Sequence, residues 1–98
     1  TDILTGLPVI SLYGERLAPE AAHLDKIDVL LFDVPDVGSR FYTYLWTLTH
    51  VMEAAAKFQK PLILLDRPNP ISGILELAEG RFLDEVNGSF IGRWEMPI

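Results

Sequence analysis

Cysteine is absent from the 98 residues, which excludes disulfide staples, thiolate metal ligands and zinc knuckles but leaves the compartment open. Basic residues are few: eight Lys and Arg stand against fourteen Asp and Glu, for a net charge of -6. They are also scattered between Arg16 and Arg93, so there is neither a stripe to track phosphates nor a polybasic patch to hold a membrane surface. Nucleic acid and membrane surfaces are therefore not expected partners. The longest unbroken apolar runs, residues 29–32 and 62–65, fall far short of the ~20 residues that span a bilayer. Thr1-Asp2 opens without Met and without a signal-like apolar stretch, as a trimmed chain would. Both glycine-rich phosphate loops, G-x-G-x-x-G and G-x-x-x-x-G-K-[ST], are missing, which argues against a nucleotide cofactor. His23 and His50 stand isolated on helical segments, so no metal site is expected, and no cofactor of another kind.

What is present is an ordinary folding composition, 49% hydrophobic and 22% charged, well away from the disordered corner. No repeat, low-complexity tract or Gly/Ser linker divides it, and one core is the most that this length can hold. Residues 7–13, 28–33 and 62–65 read as strands, and their continuous apolar runs suit strands buried on both faces of a parallel sheet. Pro19 followed by Glu20-Ala21-Ala22-His23-Leu24 reads as a short helix. A longer one is predicted over about 39–59, with Phe41, Leu45, Leu48, Met52 and Ala55 as its core-facing stripe and Ser39 or Asp36 as its cap. Trp46 reads as packing.

Strand, helix, strand, helix, strand is the order of an α/β fold, here a Rossmann-like parallel sheet with flanking helices. Three strands and two helices cannot cover both faces of such a sheet. Residues 1–98 are therefore expected to be part of a single Rossmann-like α/β catalytic domain whose remaining layers lie in sequence outside this stretch or in another chain. Beyond Asp66, turn residues dominate, and the last third reads as loops and short strands.

Ligands of open parallel sheets bind beyond the carboxyl ends of the strands. Three polar clusters fall there: Tyr13-Gly14-Glu15-Arg16, the stretch from Asp33 through Asp36 to Arg40, and Asp66-Arg67-Pro68-Asn69. Each has a purely structural reading beside the functional one. Asp36 could cap the helix, Asp33 could pair with Arg40, and Asp66 with Arg67 could stiffen a turn whose two prolines already restrict it. Tyr42 and Tyr44, two apart on the predicted helix, would face different ways, one toward the site and one toward the core.

The residues also carry a family resemblance. The run from Phe32-Asp33-Val34-Pro35-Asp36 through Gly38-Ser39-Arg40-Phe41-Tyr42-Thr43-Tyr44, then Val51-Met52-Glu53-Ala54 and Leu65-Asp66-Arg67-Pro68-Asn69-Pro70, closely resembles a bacterial family catalogued as domain of unknown function 1343. That family is associated with exo-β-N-acetylmuramidases. Thr5-Gly6-Leu7-Pro8-Val9, Ser11-Leu12-Tyr13-Gly14, Glu79-Gly80, Leu83-Asp84 and Ser89-Phe90-Ile91-Gly92 extend the match over nearly the whole chain. Pro35 departs from the family's usual Gln, and Ser72 from its usual Gly.

The resemblance implies a glycoside hydrolase that releases N-acetylmuramic acid from the non-reducing end of peptidoglycan fragments, in cell-wall turnover and recycling, outside the cytoplasm in the periplasm or as a secreted protein. It also implies that the rest of the polypeptide completes the site, since the family's Glu-His-Gly-Phe-Arg-Gly segment, which carries its catalytic glutamate, and its Arg-His-Gly segment fall outside these residues. Within them, Asp33, Asp36 and Asp66 are the candidate catalytic or hydroxyl-binding acids. Arg40 and Arg67 are candidates for the lactyl carboxylate, which a guanidinium can grip bidentately. Tyr42, Tyr44 and Asn69 would complete the wall. The competing expectation is a peptidoglycan- or carbohydrate-binding module without catalysis, and a third is a structural half-domain whose polar strand ends only cap and pair.

Overall fold

The apolar run 29–32 and its counterpart 62–65 form the two strands of a parallel pair, β1 (Leu30–Phe32) and β2 (Leu62–Leu64), with Leu30 opposite Leu62, Leu31 opposite Ile63 and Phe32 opposite Leu64. The structure, a computed structural model, describes residues 1–94. Between the strands runs α2 (Thr43–Lys57), and before them α1 (Ala21–Leu24). In α1 the Glu20 N–H donates to His23 Nδ1 at 3.1 Å, so the histidine closes its own helix start, and Leu24 is buried. Two single-turn 3-10 helices, Leu75–Leu77 and Glu85–Asn87, punctuate the loop-rich remainder. This is an α/β, Rossmann-like partial domain.

Residues 7–13 form no strand: the segment has no regular structure and is mostly exposed, and its Pro8 lacks the N–H that a central strand must donate. The long helix begins four residues later than the sequence pattern suggests. Gly38 takes a left-handed φ of +81°, the Tyr42 N–H closes a turn onto the Ser39 carbonyl, and Tyr42 stands at the N-cap in extended conformation without a side-chain cap. Neither Ser39 nor Asp36 caps α2. At the other end Gln59 adopts φ +54°, the Lys60 N–H returns to the Ala55 carbonyl, and Lys60 Nζ donates to the Ile27 carbonyl at 3.0 Å, which turns the chain into β2 beside β1.

The buried stripe of α2 is Trp46, Thr49, Val51, Ala54 and Ala55. Phe41 and Met52, expected in it, are exposed. The reason is tertiary. Arg93 reaches back to α2, its Nη1 donating to Thr49 Oγ1 at 2.7 Å and its Nη2 to both Glu53 carboxylate oxygens at 2.7 and 3.0 Å. Trp94 meets Trp46 edge to face at 6.4 Å. The segment around residues 89–94 thus covers a face of α2 that local periodicity assigns to solvent.

On another face of α2, Leu45 and Leu48 line a cleft together with Phe32 and Leu64 of the strands. The far face of the sheet is open: the paired Leu31 and Ile63 are 60% and 49% exposed, though burying such side chains stabilises a fold by about 1.5–3 kcal/mol each. The radius of gyration, 15.4 Å, exceeds the ~13 Å of a compact domain of this length. Both features suit one layer of a larger domain. Among the described residues no helix is long and apolar enough to cross a membrane.

Candidate active site

Parallel pairing sends the chain out of β1 and β2 at the same edge of the sheet, so the loops after Phe32 and Leu64 meet there. The ladder runs one step further, the Leu65 N–H donating to the Phe32 carbonyl at 3.0 Å. That step places Asp33 beside the start of the Asp66-Arg67 turn. The Arg67 guanidinium bonds the Asp33 carboxylate across the two loops. The structural alternatives read from sequence, Asp33 with Arg40 and the Asp66 carboxylate with the Arg67 guanidinium, are not the pairs formed. Instead Asp66 Oδ1 accepts the Arg67 backbone N–H at 2.9 Å and Asp36 Oδ1 accepts that of Val37 at 2.8 Å. Each acid thereby orders its own turn with one oxygen.

The two loops are locked at a second point. Asn69 Oδ1 accepts the Ile71 N–H at 2.9 Å and lies against Gly38, where an added Cβ would meet it at 2.5 Å. Only glycine allows both this approach and the left-handed backbone at residue 38.

Two clefts result, and Asp36 lines both. One, of about 210 Å³, also has Asp66, Arg67, Tyr44 and Leu48 in its walls. The other, of about 390 Å³, has Arg40, Asn69, Ser39 and the loop 71–78. Asp33 lines neither and reaches the first only through Arg67. The candidate acids therefore divide: Asp36 and Asp66 share a cleft, while Asp33 stands at its rim. Arg40 Nη1 donates to the Arg81 carbonyl at 2.6 Å, which draws the segment before the second 3-10 helix toward the site, and its own carbonyl accepts the indole N–H of buried Trp46.

Tyr42 and Tyr44 do not diverge. Their rings meet edge to face, 5.0 Å between centroids, because Tyr42 precedes the helix and its extended backbone removes the 100° helical step that would separate them. Both are about 40% exposed. With Tyr13, Phe41 and Thr43 they line a further cleft of about 340 Å³, so the first polar cluster reaches this side of the molecule without forming a strand. Tyr44 is common to this cleft and the acid one.

His50, isolated in the sequence, has defined surroundings in the fold. It lines a cavity of about 280 Å³ with Leu12, Tyr13, Leu17, Trp46 and Phe90, and its Nε2 is buried with no hydrogen-bond partner. Burial, and secondarily the Arg93 guanidinium, push the imidazole below the usual histidine range against the pull of Glu53. The one signal available in advance was its spacing from Thr43, Trp46 and Thr47, which puts the four on one face of α2. Among the described residues no group of three or more His, Asp or Glu could hold a metal ion.

A parallel α/β layer with carboxylates, guanidinium groups and exposed aromatic rings at the carboxyl edge of its strands is the layout of a small-molecule or saccharide site in an enzyme of this architecture. Comparison with known proteins gives the family. A model described as exo-β-N-acetylmuramidase NamZ, N-terminal, matches residues 1–98, and the chain belongs to that family. It is 44% identical over 97 residues to the peptidoglycan β-N-acetylmuramidase NamZ of Bacillus subtilis (strain 168), an alignment covering 99% of this chain and 23% of that protein. The crystal structure of a DUF1343 family protein from Bacteroides fragilis NCTC 9343 superposes with a TM-score of 0.89 at 45% identity, over 98% of this chain and 24% of that one. The chain thus spans about a quarter of the length of these relatives.

Proposed function

We propose that this chain supplies the strand-end part of the active site of a glycoside hydrolase releasing N-acetylmuramic acid from the non-reducing end of peptidoglycan fragments. The observation that carries the reading is 44% identity to a peptidoglycan β-N-acetylmuramidase over 97 residues, a span that includes every polar residue of the clefts. In this reading residues 1–98 belong to one Rossmann-like catalytic domain, and the rest of the polypeptide brings the principal acid and covers the open sheet face. A peptidoglycan substrate supports a location in the periplasm or outside the cell.

Glycoside hydrolysis needs a proton donor for the leaving oxygen and a second carboxylate, acting as nucleophile or as the base that activates water. Asp36 and Asp66 are the acids of this chain that face one cleft, each with one oxygen ordered by a backbone N–H and the other left for substrate. They hold sugar hydroxyls or act as the second carboxylate. Asp33 has a different part: it fixes the Arg67 guanidinium, which still has donors to spare and stays half exposed. Arg67 then receives the lactyl carboxylate that distinguishes muramic acid from other hexosamines, with Arg40 facing the neighbouring cleft. Tyr44, Tyr42 and Asn69 form the wall.

The test is release of N-acetylmuramic acid from a nitrophenyl muramoside by the full-length protein and by its Asp36→Asn and Asp66→Asn variants at matched folding. Activity in the parent that falls at least about a hundredfold in one variant is expected for a group acting in the transition state. A folded parent that binds the glycoside without turning it over would make the chain part of a binding module instead.

A further inference from the structure

Arg67 and Asn69 stand two residues apart in the turn after β2, so their Cα atoms are separated by no more than about 7.6 Å, two steps along the chain. Asn69 is exposed, and its amide has a fixed sense: Oδ1 accepts the Ile71 N–H at 2.9 Å and lies against Gly38, which leaves the Nδ2 end to donate. The cleft of about 390 Å³ that Asn69 lines has further groups in its wall. Ser72 Oγ accepts the Ile74 N–H at 3.0 Å and keeps its own hydrogen for a ligand. Asp36 spends one oxygen on the Val37 N–H and has the other to accept. Ile71 and Ile74, both exposed, give the same cleft an aliphatic side.

We propose that this cleft seats the acetamido group of the muramic acid and that Asn69 is a specificity-determining residue for it. The inference rests on the glycosidase reading above and refines it. Donors, an acceptor and an aliphatic wall in one cleft are the complement of a neutral amide that ends in a methyl. The acetamido carbonyl takes the Asn69 Nδ2 and Ser72 hydroxyl hydrogens, its N–H goes to the free oxygen of Asp36, and its methyl meets Ile71 and Ile74. A carboxylate would be repelled by Asp36, and a bare hydroxyl would leave the aliphatic side unused. The lactyl and acetamido groups of muramic acid stand on adjacent ring carbons. Arg67 for the first and Asn69 for the second, two residues apart in one turn, match that adjacency. Asp36 thereby becomes a recognition group, and Asp66 is the acid of this chain left for the reacting bond.

The experiment uses the full-length protein and measures how two monosaccharides inhibit its release of nitrophenol from a nitrophenyl muramoside: N-acetylmuramic acid, and the analogue with a hydroxyl in place of the acetamido group. The parent should bind the acetamido sugar more tightly. Asn69→Asp keeps an oxygen for the Ile71 N–H and turns the Nδ2 donor into an acceptor. It should cut the ratio of the two inhibition constants about five- to tenfold, the worth of one hydrogen bond. Any effect of the new charge on the lactyl carboxylate is common to both sugars and cancels in that ratio. Ile74→Ser, at an exposed position, should cut the same ratio about three- to fivefold by making the wall polar, and it decides the matter if Asn69→Asp fails to fold. A parent indifferent to the acetamido group, or variants that weaken both sugars equally, would overturn the site and leave loop 71–78 as a packing surface for the rest of the polypeptide. No nitrophenol release by a folded parent would remove the glycosidase reading, and this inference with it; release with an unchanged ratio in the variants would remove this inference alone.

Discussion

Arg67, in the turn after β2, is ion-paired with Asp33, at the end of β1, 34 residues away in sequence. The parallel register makes this meeting possible, and it converts two strand ends into one rigid edge. Both partners are about half exposed, and exposed pairs contribute only about 0–1 kcal/mol to stability. Holding a guanidinium in place is therefore the more consequential effect.

It follows that Asp33→Asn and Arg67→Ala should separate stability from function. Melting temperatures measured by calorimetry should move by no more than about 1 kcal/mol's worth. Kinetics on the muramoside should show a raised KM in Arg67→Ala, and a smaller rise in Asp33→Asn, where the guanidinium remains but is no longer aimed. A large loss of stability in Asp33→Asn with unaltered KM would assign the pair to the fold.

Gly38→Ala should be costly for two reasons that can be told apart. A left-handed φ of +81° penalises any side chain by about 1–2 kcal/mol, and the new methyl would strike Asn69 Oδ1. In denaturant unfolding the single variant should lose about 1–3 kcal/mol. Adding Asn69→Ala should recover only part of the steric share, because Ile71 also stands 3.0 Å from the new methyl, giving a non-additive double-mutant cycle.

The clasp of Arg93 on Thr49 and Glu53 should hold the 89–94 segment against α2. Arg93→Ala leaves the Thr49 hydroxyl, buried at 3% exposure, without its guanidinium partner, a loss of about 1–3 kcal/mol. Protease sensitivity around residues 89–94 should rise in that variant, and tryptophan fluorescence should change as Trp94 leaves Trp46. Glu53→Gln, which keeps one acceptor, should lose less.

His50 sets the sign of a pH effect. Its imidazole lies below the usual 6.5 when folded, so the fold favours the neutral form. Above about pH 6.5 both states are neutral and the contribution is complete; as pH falls through 6.5 toward the folded value, the unfolded chain takes up a proton first and stability drops. Thermal unfolding followed from about pH 8 to pH 5 should therefore show a decline that His50→Gln reduces. Equal slopes in parent and variant would mean that the imidazole protonates as easily in the fold as out of it.

Much of the frame was legible in the sequence. Four-residue apolar runs and an alanine-rich helix name their own conformations, because propensity and burial act on near neighbours, and the parallel arrangement follows from the helix that separates the two strands. The polar residues after each strand could likewise be assigned to one edge. Local pattern could not say which of them meet. Register and turn geometry brought Arg67 to Asp33 and left Asp36 with Asp66 in the cleft. A left-handed Gly38 delayed α2 until Tyr42 fell outside it and met Tyr44, and Arg93, 44 residues from Thr49, buried a helix face that periodicity gave to solvent. The unpartnered nitrogen of His50 belongs to the same class, since a side chain's partners are a property of what folds against it. Local pattern was enough for the two paired strands, the helix between them and the edge where polar residues gather, but not for residues 7–13, which form no strand; which groups share a cleft was settled by packing between segments distant in sequence.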